Sequence, residues 1–314
     1  MTDASAATPA VAIVLALGHD SAFLEEALAS VRAQTYENWE LIVVDNGAQH
    51  PDRVADLIAD DPRMSMIIID HSATAGIARN IGVSRTTAPL ITLLDDDDIW
   101  VPERLATHVA RHREHPEAPA SFSGYWHMDA EGRRFGADWR SRSTPASDIL
   151  RGAAPTPLGP TLMFRREDFI AIGGHSSEIP ILVDFELGLR LALRGDLLYI
   201  DELLVGYRRH SSNMTSMAPA NVRLRRRAME DMIDRQRWAA HGRRAYDVEA
   251  HFAERLRRYR RSEARVAGSE VPRQMRRGQL GPACSSTVWG LRRAPGSFLS
   301  GLSRTVFGRL RRGQ

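Results

Sequence analysis

The sequence predicts an α/β fold, a doubly wound and mostly parallel sheet flanked by helices, with a basic helical region after it. Four short apolar runs, at 11–17, 39–45, 64–70 and 89–95, have the length and the Val and Ile content of strands. They lack polar alternation, which is typical of parallel strands that are buried on both faces. Stretches with helical periodicity lie between them, and this alternation of strand and helix predicts the fold class.

Two helices are predicted between the strands from apolar residues that recur at helical spacing. The positions that predict the first helix are Phe23, Leu24, Ala27, Leu28 and Val31. Those that predict the second are Val54, Leu57 and Ile58. Each pattern gives one apolar face, which we expect to cover the sheet.

Charge is divided unevenly along the chain. Residues 215–314 contain 23 arginines and 8 acidic residues, a net charge of +15, whereas residues 1–214 have a net charge of −12. The single cysteine, Cys284, excludes an intramolecular disulfide and a multi-cysteine metal site. No secretory signal and no run of about 20 apolar residues is found. We therefore expect a soluble cytoplasmic protein with a disordered N-terminus at 1–9.

Aspartates end three of the predicted strands. Asp45, Asp70 and Asp95 are the last residues of the second, third and fourth strands. In sheets of this class, ligands bind beyond the carboxyl ends of the strands. If the second and fourth strands are neighbours, Asp45 and Asp95 approach one crevice, and such a cluster of carboxylates favours a cation.

The run from Asp95 to Asp98 adds negative charge at that place. In an extended segment Asp95 and Asp97 would face one side, and Asp96 and Asp98 the other. Two carboxylates that face one point suit a hard divalent cation, Mg²⁺ or Mn²⁺, which takes further ligands from a diphosphate. The alternative is a solvated acidic turn in which Asp98 assists a helix opened by Pro102.

Five segments, which occur in order and span about 200 residues, resemble a family 2 glycosyltransferase with the GT-A fold, the inverting type that uses a nucleotide sugar. They are FLEEALASVRAQTYENWELIVVDNG (23–47), AGIARNIG (75–82), LLDDDDIWVPERL (93–105), LMFRREDFIAIGG (162–174) and LVDFELGLRLALRGDLLYIDELLVGYRRHSSN (182–213). The resemblance implies a GT-A domain at 10–214, followed by an arginine-rich helical tail at 215–314.

The resemblance implies roles for residues of the donor site. Asp45 would contact the nucleoside, and Arg79 and Asn80 would favour the diphosphate. Asp95 would face the ribose or donor sugar, with UDP as the expected nucleotide. The alternative for Arg79 and Asn80 is an ordinary solvated helix face.

The resemblance also implies the metal ligands and the base. Asp95, Asp97 and His210 would hold Mn²⁺ or Mg²⁺, and Asp98 would support them without touching the ion. Asp184 would be the catalytic base that accepts the proton of the acceptor hydroxyl. The alternative is that Asp184 only caps the helix at 185–194.

Three departures from the family pattern bear on donor recognition. Ala16 to His19 replace a stretch close to Pro-Thr-Tyr-Asn, Asn46 replaces an aspartate, and Val183 replaces a glutamate. They motivate an alternative from another class, a non-catalytic GT-A protein that binds a nucleotide or a partner. A sugar-phosphate nucleotidyltransferase is disfavoured, because no glycine-rich loop follows the first strand.

A zinc site is a further alternative, because His108 and His112 have i, i+4 spacing and His115 is close by. No glutamate completes an HExxH arrangement, which disfavours zinc. The segment therefore reads more simply as an ordinary helix.

The basic tail predicts one or two arginine-rich helices, then a looser piece at about 269–286. The last stretch sets apolar residues at helical spacing, with arginines largely on other faces. These residues are Phe298, Leu302, Val306 and Leu310. The pattern suits an anionic membrane surface on the cytoplasmic side, where a saccharide or lipid-linked acceptor would be met. Docking on the acidic body or disorder are the alternatives, and nucleic acid is disfavoured because no binding module is recognised.

Overall fold

A computed structural model describes residues 9–70, 73–142, 145–177, 182–211, 213 and 219–310. The chain divides into two compact units, one formed by 1–149 with 154–214 and the other by 150–153 with 215–314. Most of the N-terminal stretch expected to be disordered, residues 1–8, lies outside the described residues.

The first unit is built on one mixed sheet, which confirms the predicted α/β class. Its strands are β1 (Val11–Leu17), β2 (Trp39–Asp45), β3 (Met64–Ile68), β4 (Leu90–Leu94), β5 (Ile99–Trp100), β6 (Ala120–Met128), β7 (Arg134–Trp139), β8 (Leu162–Arg165) and β9 (Leu198–Arg208). The order is β3-β2-β1-β4-β8-β6-β9-β5, and β7 pairs with β6. The pairs β3-β2, β2-β1 and β1-β4 are parallel, so the four predicted strands form one parallel block, and β6-β9 is a further parallel pair.

Short helices connect and cover the strands of this unit. They are α1 (Leu24–Arg32), α2 (Pro51–Ile58), α3 (Ala75–Ser84), α4 (Arg104–Glu114), α5 (Ala146–Leu150), α6 (Arg166–Ala171) and α7 (Val183–Leu191), with a 3₁₀ turn at Gly159–Thr161. Helix α1 buries Leu24, Ala27, Leu28 and Val31, which lie on the predicted face. These side chains pack with β1 and β2 in the main hydrophobic core.

The second and fourth predicted strands are not neighbours, so the condition stated for Asp45 and Asp95 is not met. Strand β1 lies between β2 and β4, so Asp45 and Asp95 do not follow neighbouring strands. Strand β3 ends at Ile68, and Asp70 lies two residues beyond it. The residues that follow Leu17 of β1 therefore come between the ends of β2 and β4.

The second unit is helical. Its helices are α8 (Pro219–Gly242), α9 (Tyr246–Arg276), α10 (Leu280–Arg293) and α11 (Pro295–Leu310). The piece expected to be looser is helical, since α9 continues through Pro272 and α10 begins at Leu280. Packing outweighs the breaking effect of proline here, because Val271 is buried in a cluster with Ala267 of α9 and Ala283 of α10.

Helix α11 does not present the free apolar face expected for a membrane helix. Phe298 is buried in the α9–α10 cluster and Leu302 packs against the same cluster, so both are used inside the unit. The side chains of Val306 and Leu310 lie outside the described residues. Within the described ranges, no helix combines the length and the apolar character that spanning a bilayer requires.

Candidate active site

The four aspartates after β4 form a tight turn rather than an extended segment. The backbone N–H of Asp98 donates to the carbonyl of Asp95 at 3.3 Å, which closes the turn. Oxygens of Asp95, Asp97 and Asp98 consequently lie within 4.8 Å of one another. The expectation from alternation, which sent Asp98 to the opposite side, is wrong because it assumed an extended backbone.

Asp98 is fully buried within this acidic turn. Its Oδ1 accepts a hydrogen bond from the backbone N–H of Arg208 at 2.9 Å, whereas its Oδ2 has no hydrogen-bond partner among the described residues. Burial raises the pKa of Asp98 well above its usual value, and the neighbouring carboxylates raise it further. Burial also raises the pKa of Asp95. Negative charge in this turn is thus unfavourable without a cation.

A divalent cation fits these residues, because carboxylate oxygens converge and one buried oxygen lacks a partner. Among the described residues, this is the one cluster of three acidic, histidine or cysteine side chains with the spacing of a metal site. The residues that could hold the ion are Asp95, Asp97 and Asp98, so Asp98 lies among the candidate ligands and not behind them as expected. His210 lies beside Asp97.

His210 lies where the sequence places it, next to Asp97. Its Nε2 is 2.9 Å from Asp97 Oδ2, and the amide of Asn213 donates to the same oxygen at 3.0 Å. The backbone N–H of His210 donates to Asn213 Oδ1 at 2.6 Å. Sequence reasoning missed Asn213, although it ends the last matched segment.

Arg79 connects the proposed donor site to the proposed base. This buried side chain of α3 donates from Nη2 to Asp95 Oδ1 at 2.7 Å and from Nη1 to Asp184 Oδ1 at 2.5 Å. The two carboxylates are 28% and 25% exposed, so both retain access to solvent. The solvated helix face considered for Arg79 is therefore wrong.

Asp184 lies in the first turn of α7, whose N-cap residue is Leu182. Leu182 has a φ of 66°, a left-handed conformation that is costly for a branched side chain. A Cβ added at Gly159 would lie 2.5 Å from the carboxyl carbon of Asp184, so the backbone of the 3₁₀ turn fixes one side of this carboxylate. Asp184 is thus held by both α3 and the 3₁₀ turn, and it does not occupy the cap position.

Asn80 and Asp45 form hydrogen bonds within the protein. The Asn80 amide donates to the carbonyl of His175 at 2.9 Å and accepts from the N–H of His175 at 2.8 Å. Asp45 Oδ1 accepts from the N–H groups of Gly47 and Ala48 at 3.0 and 2.8 Å. Asn80 therefore fastens the turn around His175, and one oxygen of Asp45 shapes the loop after β2.

The departures from the family pattern have structural roles. Asn46 donates to the carbonyl of Ala73 at 2.8 Å and so holds the start of α3. His19 Nε2 lies 3.7 Å from Asp96 Oδ2 at the edge of the acidic turn. A Cβ added at Gly76 would lie 3.5 Å from Val183 Cγ1, so Val183 packs on the first turn of α3.

Arg208 at the end of β9 braces the acidic turn, and sequence reasoning missed it. Its Nε donates to the carbonyl of Asp97 at 2.8 Å. Its Nη2 donates to Glu26 Oε2 at 2.5 Å, and the guanidinium lies over the ring of Phe23 at 4.5 Å. The sequence offers one indication of this role: Arg208 lies two residues before His210, in the segment YRRH.

Two of the three histidines considered for zinc, His108 and His112, are buried on the inner side of α4. His108 Nδ1 and His112 Nε2 lie 2.7 and 3.1 Å from the hydroxyl of Ser121. Burial lowers the pKa of His108 well below its usual value and lowers the pKa of His112 to about 4. His115 pairs instead with Glu117 on the surface. His108 and His112 thus contribute to the packing of α4 on β6.

Comparison with known proteins identifies relatives. The putative colanic acid biosynthesis glycosyl transferase WcaA of Escherichia coli (strain K12) is 30% identical over 108 residues, which cover 34% of this chain and 39% of WcaA. The UDP-Glc:alpha-D-GlcNAc-diphosphoundecaprenol beta-1,3-glucosyltransferase WfgD of Escherichia coli is 31% identical over 87 residues, 28% of this chain and 34% of WfgD. The matched stretches thus span less than two fifths of these curated relatives.

Solved structures share the fold. The S. aureus TarS 1-349 crystal structure in complex with UDP superposes with a TM-score of 0.61 at 15% sequence identity, covering 97% of this chain and 92% of that chain. The complex of the same TarS fragment with UDP-GlcNAc gives a TM-score of 0.60 at 14% identity, covering 90% of this chain and 91% of that chain. The likeness confirms the GT-A type of fold.

The decisive match is to a family. The sequence model described as Glycosyl transferase family 2 matches residues 12–173, which is more than half of the 314 residues. This stretch contains the acidic turn and Arg79. The chain belongs to glycosyl transferase family 2.

Proposed function

We propose that this protein is an inverting glycosyltransferase, which moves a sugar from a nucleotide-diphosphate sugar to an acceptor hydroxyl in cell-envelope or polysaccharide synthesis. One observation carries the proposal: Arg79 bridges Asp184 and Asp95, so the proposed base lies beside the proposed donor site. The family and the activities for which the relatives are named support it.

In the proposed reaction, the Asp184 carboxylate accepts the proton of the acceptor hydroxyl. The acceptor oxygen forms a bond to the anomeric carbon, while the bond from that carbon to the diphosphate oxygen breaks. The nucleotide diphosphate leaves with the electron pair. A positioned base of this kind contributes about 10²- to 10⁴-fold to the rate. Gly159 and Arg79 limit the orientations of the Asp184 carboxylate and so position it.

The donor would occupy the crevice beyond β1, β2 and β4. Asp45 would meet the nucleoside, and Asp95 would face the ribose or sugar. Asn80 would act indirectly, since its amide is bonded to the backbone of His175. A bound Mn²⁺ or Mg²⁺ would neutralise charge on the departing diphosphate. UDP is the expected nucleotide, because solved structures of the same fold contain UDP and UDP-GlcNAc.

The proposed acceptor is a saccharide or a lipid-linked saccharide. This proposal rests on the relative WfgD, whose name gives a sugar on diphosphoundecaprenol as its acceptor. The boundary at 214/215 is proposed to separate the transferase part from the helical part, since every residue named for the reaction lies before it.

The test is the rate of UDP release from UDP-glucose and UDP-GlcNAc, with bacterial membranes supplying lipid-linked acceptors. We expect Asp184→Asn to lower turnover about 10²- to 10⁴-fold while UDP binding is retained. Asp52→Asn removes the same charge at an exposed site in α2 and should leave turnover unchanged. Equal turnover in wild type and Asp184→Asn would refute the assignment of the base. Nucleotide binding without turnover in the wild type would favour the non-catalytic alternative.

A further inference from the structure

Helix α10 turns an apolar face to solvent. Leu280, Val288 and Leu291 are 63%, 51% and 42% exposed, and the exposed Cys284 lies between them. At 3.6 residues per turn these four side chains fall within an arc of about 80°. We name this surface the α10 apolar face; the buried positions on the opposite side of the helix are Ala283, Ser286 and Gly290.

Single exposed leucines are common on soluble proteins, whereas aligned apolar residues over three turns of one helix mark an interaction surface. Neither α10 nor α11 contributes an acidic side chain to this face, because residues 271–314 contain nine arginines and no aspartate or glutamate. Met275, five residues before Leu280 near the end of α9, is also exposed.

Arginines bracket the α10 apolar face at both ends. Arg276 and Arg277 precede the helix and Arg292 lies in its last turn, all three exposed. None of the three forms an ion pair within the part of the chain that the structure describes, whereas Arg293 is paired with Glu230 at 3.0 Å. Long cationic side chains at the ends of an apolar helix face can place their charges among lipid headgroups while the face is buried.

We propose that the α10 apolar face, with Arg276, Arg277 and Arg292, binds an anionic membrane surface, with α10 lying in the plane of the interface. Charge complementarity selects this occupant. A second copy of the chain would bring a second acid-free, arginine-rich segment to the same place, and these like charges would repel. Anionic lipid instead attracts each basic side chain that lies near its surface.

This proposal goes beyond the proposed transfer reaction and does not depend on it, because lipid binding is measured without donor or acceptor. It also replaces the membrane helix expected from the sequence at 298–310. Phe298 of that helix is buried against Gly290, where an added Cβ would lie 2.3 Å from the ring. The packing of α11 against α10 leaves the opposite face of α10 for the membrane.

The chain supplies its own reporter, because Cys284 is its single cysteine and lies on the proposed face. We would attach an environment-sensitive fluorophore to Cys284 in the full chain and add vesicles of phosphatidylcholine with about 30% phosphatidylglycerol. The expected result is a blue-shifted emission that lipid-borne quenchers reduce, and no shift with pure phosphatidylcholine. A label on Ala239→Cys in the Cys284→Ser background, at an exposed site of α8, should not shift.

Unlabelled variants then test the face by vesicle flotation. Val288→Ser combined with Leu291→Ser should weaken binding about tenfold or more, because both side chains would enter the interface. Leu224→Ser, at a leucine of 56% exposure in α8, is the matched control and should bind as wild type. Circular dichroism establishes that each variant is folded.

Three results would overturn the proposal. The first is an unchanged emission of labelled Cys284 with anionic vesicles. The second is equal binding of the serine variant and wild type. The third is a wild-type dimer that the serine variant dissociates, with no binding to vesicles, which would assign the face to pairing between copies.

Discussion

Arg79 separates two carboxylates that would otherwise repel each other. Asp95 and Asp184 share its guanidinium, and the positive charge is buried between them. Replacing this residue leaves two acidic groups facing one another with reduced solvation. Arg79 therefore has a role in stability that is separate from any contact with a donor.

We expect Arg79→Met to lower the free energy of unfolding by about 2–3 kcal/mol, because it removes the cation from a mostly buried cluster. Urea denaturation followed by circular dichroism measures the change. Arg63→Met breaks an ion pair of the same kind with Asp61, but at a partly exposed site, and should cost less than about 1 kcal/mol. Equal effects of the two substitutions would contradict the central position given to Arg79.

At this scale the sequence predicts single residues better than their contacts. Asp97 and His210 are each recognised as candidate metal ligands, because each belongs to a short sequence motif. In the structure, His210 Nε2 lies 2.9 Å from Asp97 Oδ2. The Arg79–Asp184 pair joins residues 105 positions apart. No local pattern encodes such a contact, because it depends on the packing of α3 against the start of α7. The direction of Asp98 also depended on a turn that local alternation does not reveal.

Helix α4 carries buried histidines that make stability depend on pH. Burial lowers the pKa of His112 to about 4, below the value of about 6.5 in the unfolded chain. The unfolded state then binds more protons between these values. The stabilising contribution is present above about pH 6.5 and is lost as the pH falls toward 4.

We expect His112→Gln to reduce the loss of unfolding free energy between pH 7 and pH 5 by about 2 kcal/mol. Glutamine cannot be protonated, and its amide can replace the contacts of the ring with Ser121. Urea denaturation at a series of pH values measures the slope. A slope identical to that of wild type would show that His112 is not held neutral.

Close helix packing in the second unit depends on glycine. A Cβ added at Gly268 of α9 would lie 2.1 Å from the carbonyl oxygen of Phe298 in α11, whereas Gly281 of α10 has nothing within 4 Å. We expect Gly268→Ala to destabilise the protein by about 1–3 kcal/mol despite the better helix propensity of alanine. Gly281→Ala should stabilise it by about 0.5 kcal/mol. The measurement is the midpoint of thermal unfolding of both variants. A Gly268→Ala variant more stable than wild type would contradict the close packing of α9 against α11.

Elements were predictable where one periodicity dominates. Strand β1 and helix α1 follow their apolar patterns residue by residue, since each packs into the main core. The end of α9 and the start of α10 could not be predicted, because the prolines and glycines at 272–282 indicate a loop. Burial of Val271 and Ala283 in one cluster offsets those local preferences.

The whole molecule combines an acidic α/β unit with a basic helical unit, each with a separate expected task. Residues of the proposed reaction, from Asp45 to Asn213, all belong to the first unit. The proposed membrane surface belongs to the second. The charge difference between the two units can be read from the sequence. The α10 apolar face cannot, because its position depends on which faces of the helices are buried.

The central claim is that the acidic turn binds a nucleotide diphosphate together with a divalent cation. The most direct measurement is calorimetric titration of the full chain with UDP, with and without Mn²⁺, for wild type, Asp97→Asn and the exposed control Asp52→Asn. We predict that wild type and Asp52→Asn bind UDP in a Mn²⁺-dependent manner, and that Asp97→Asn weakens binding about tenfold or more. UDP binding that is indifferent both to Mn²⁺ and to Asp97→Asn would contradict the account.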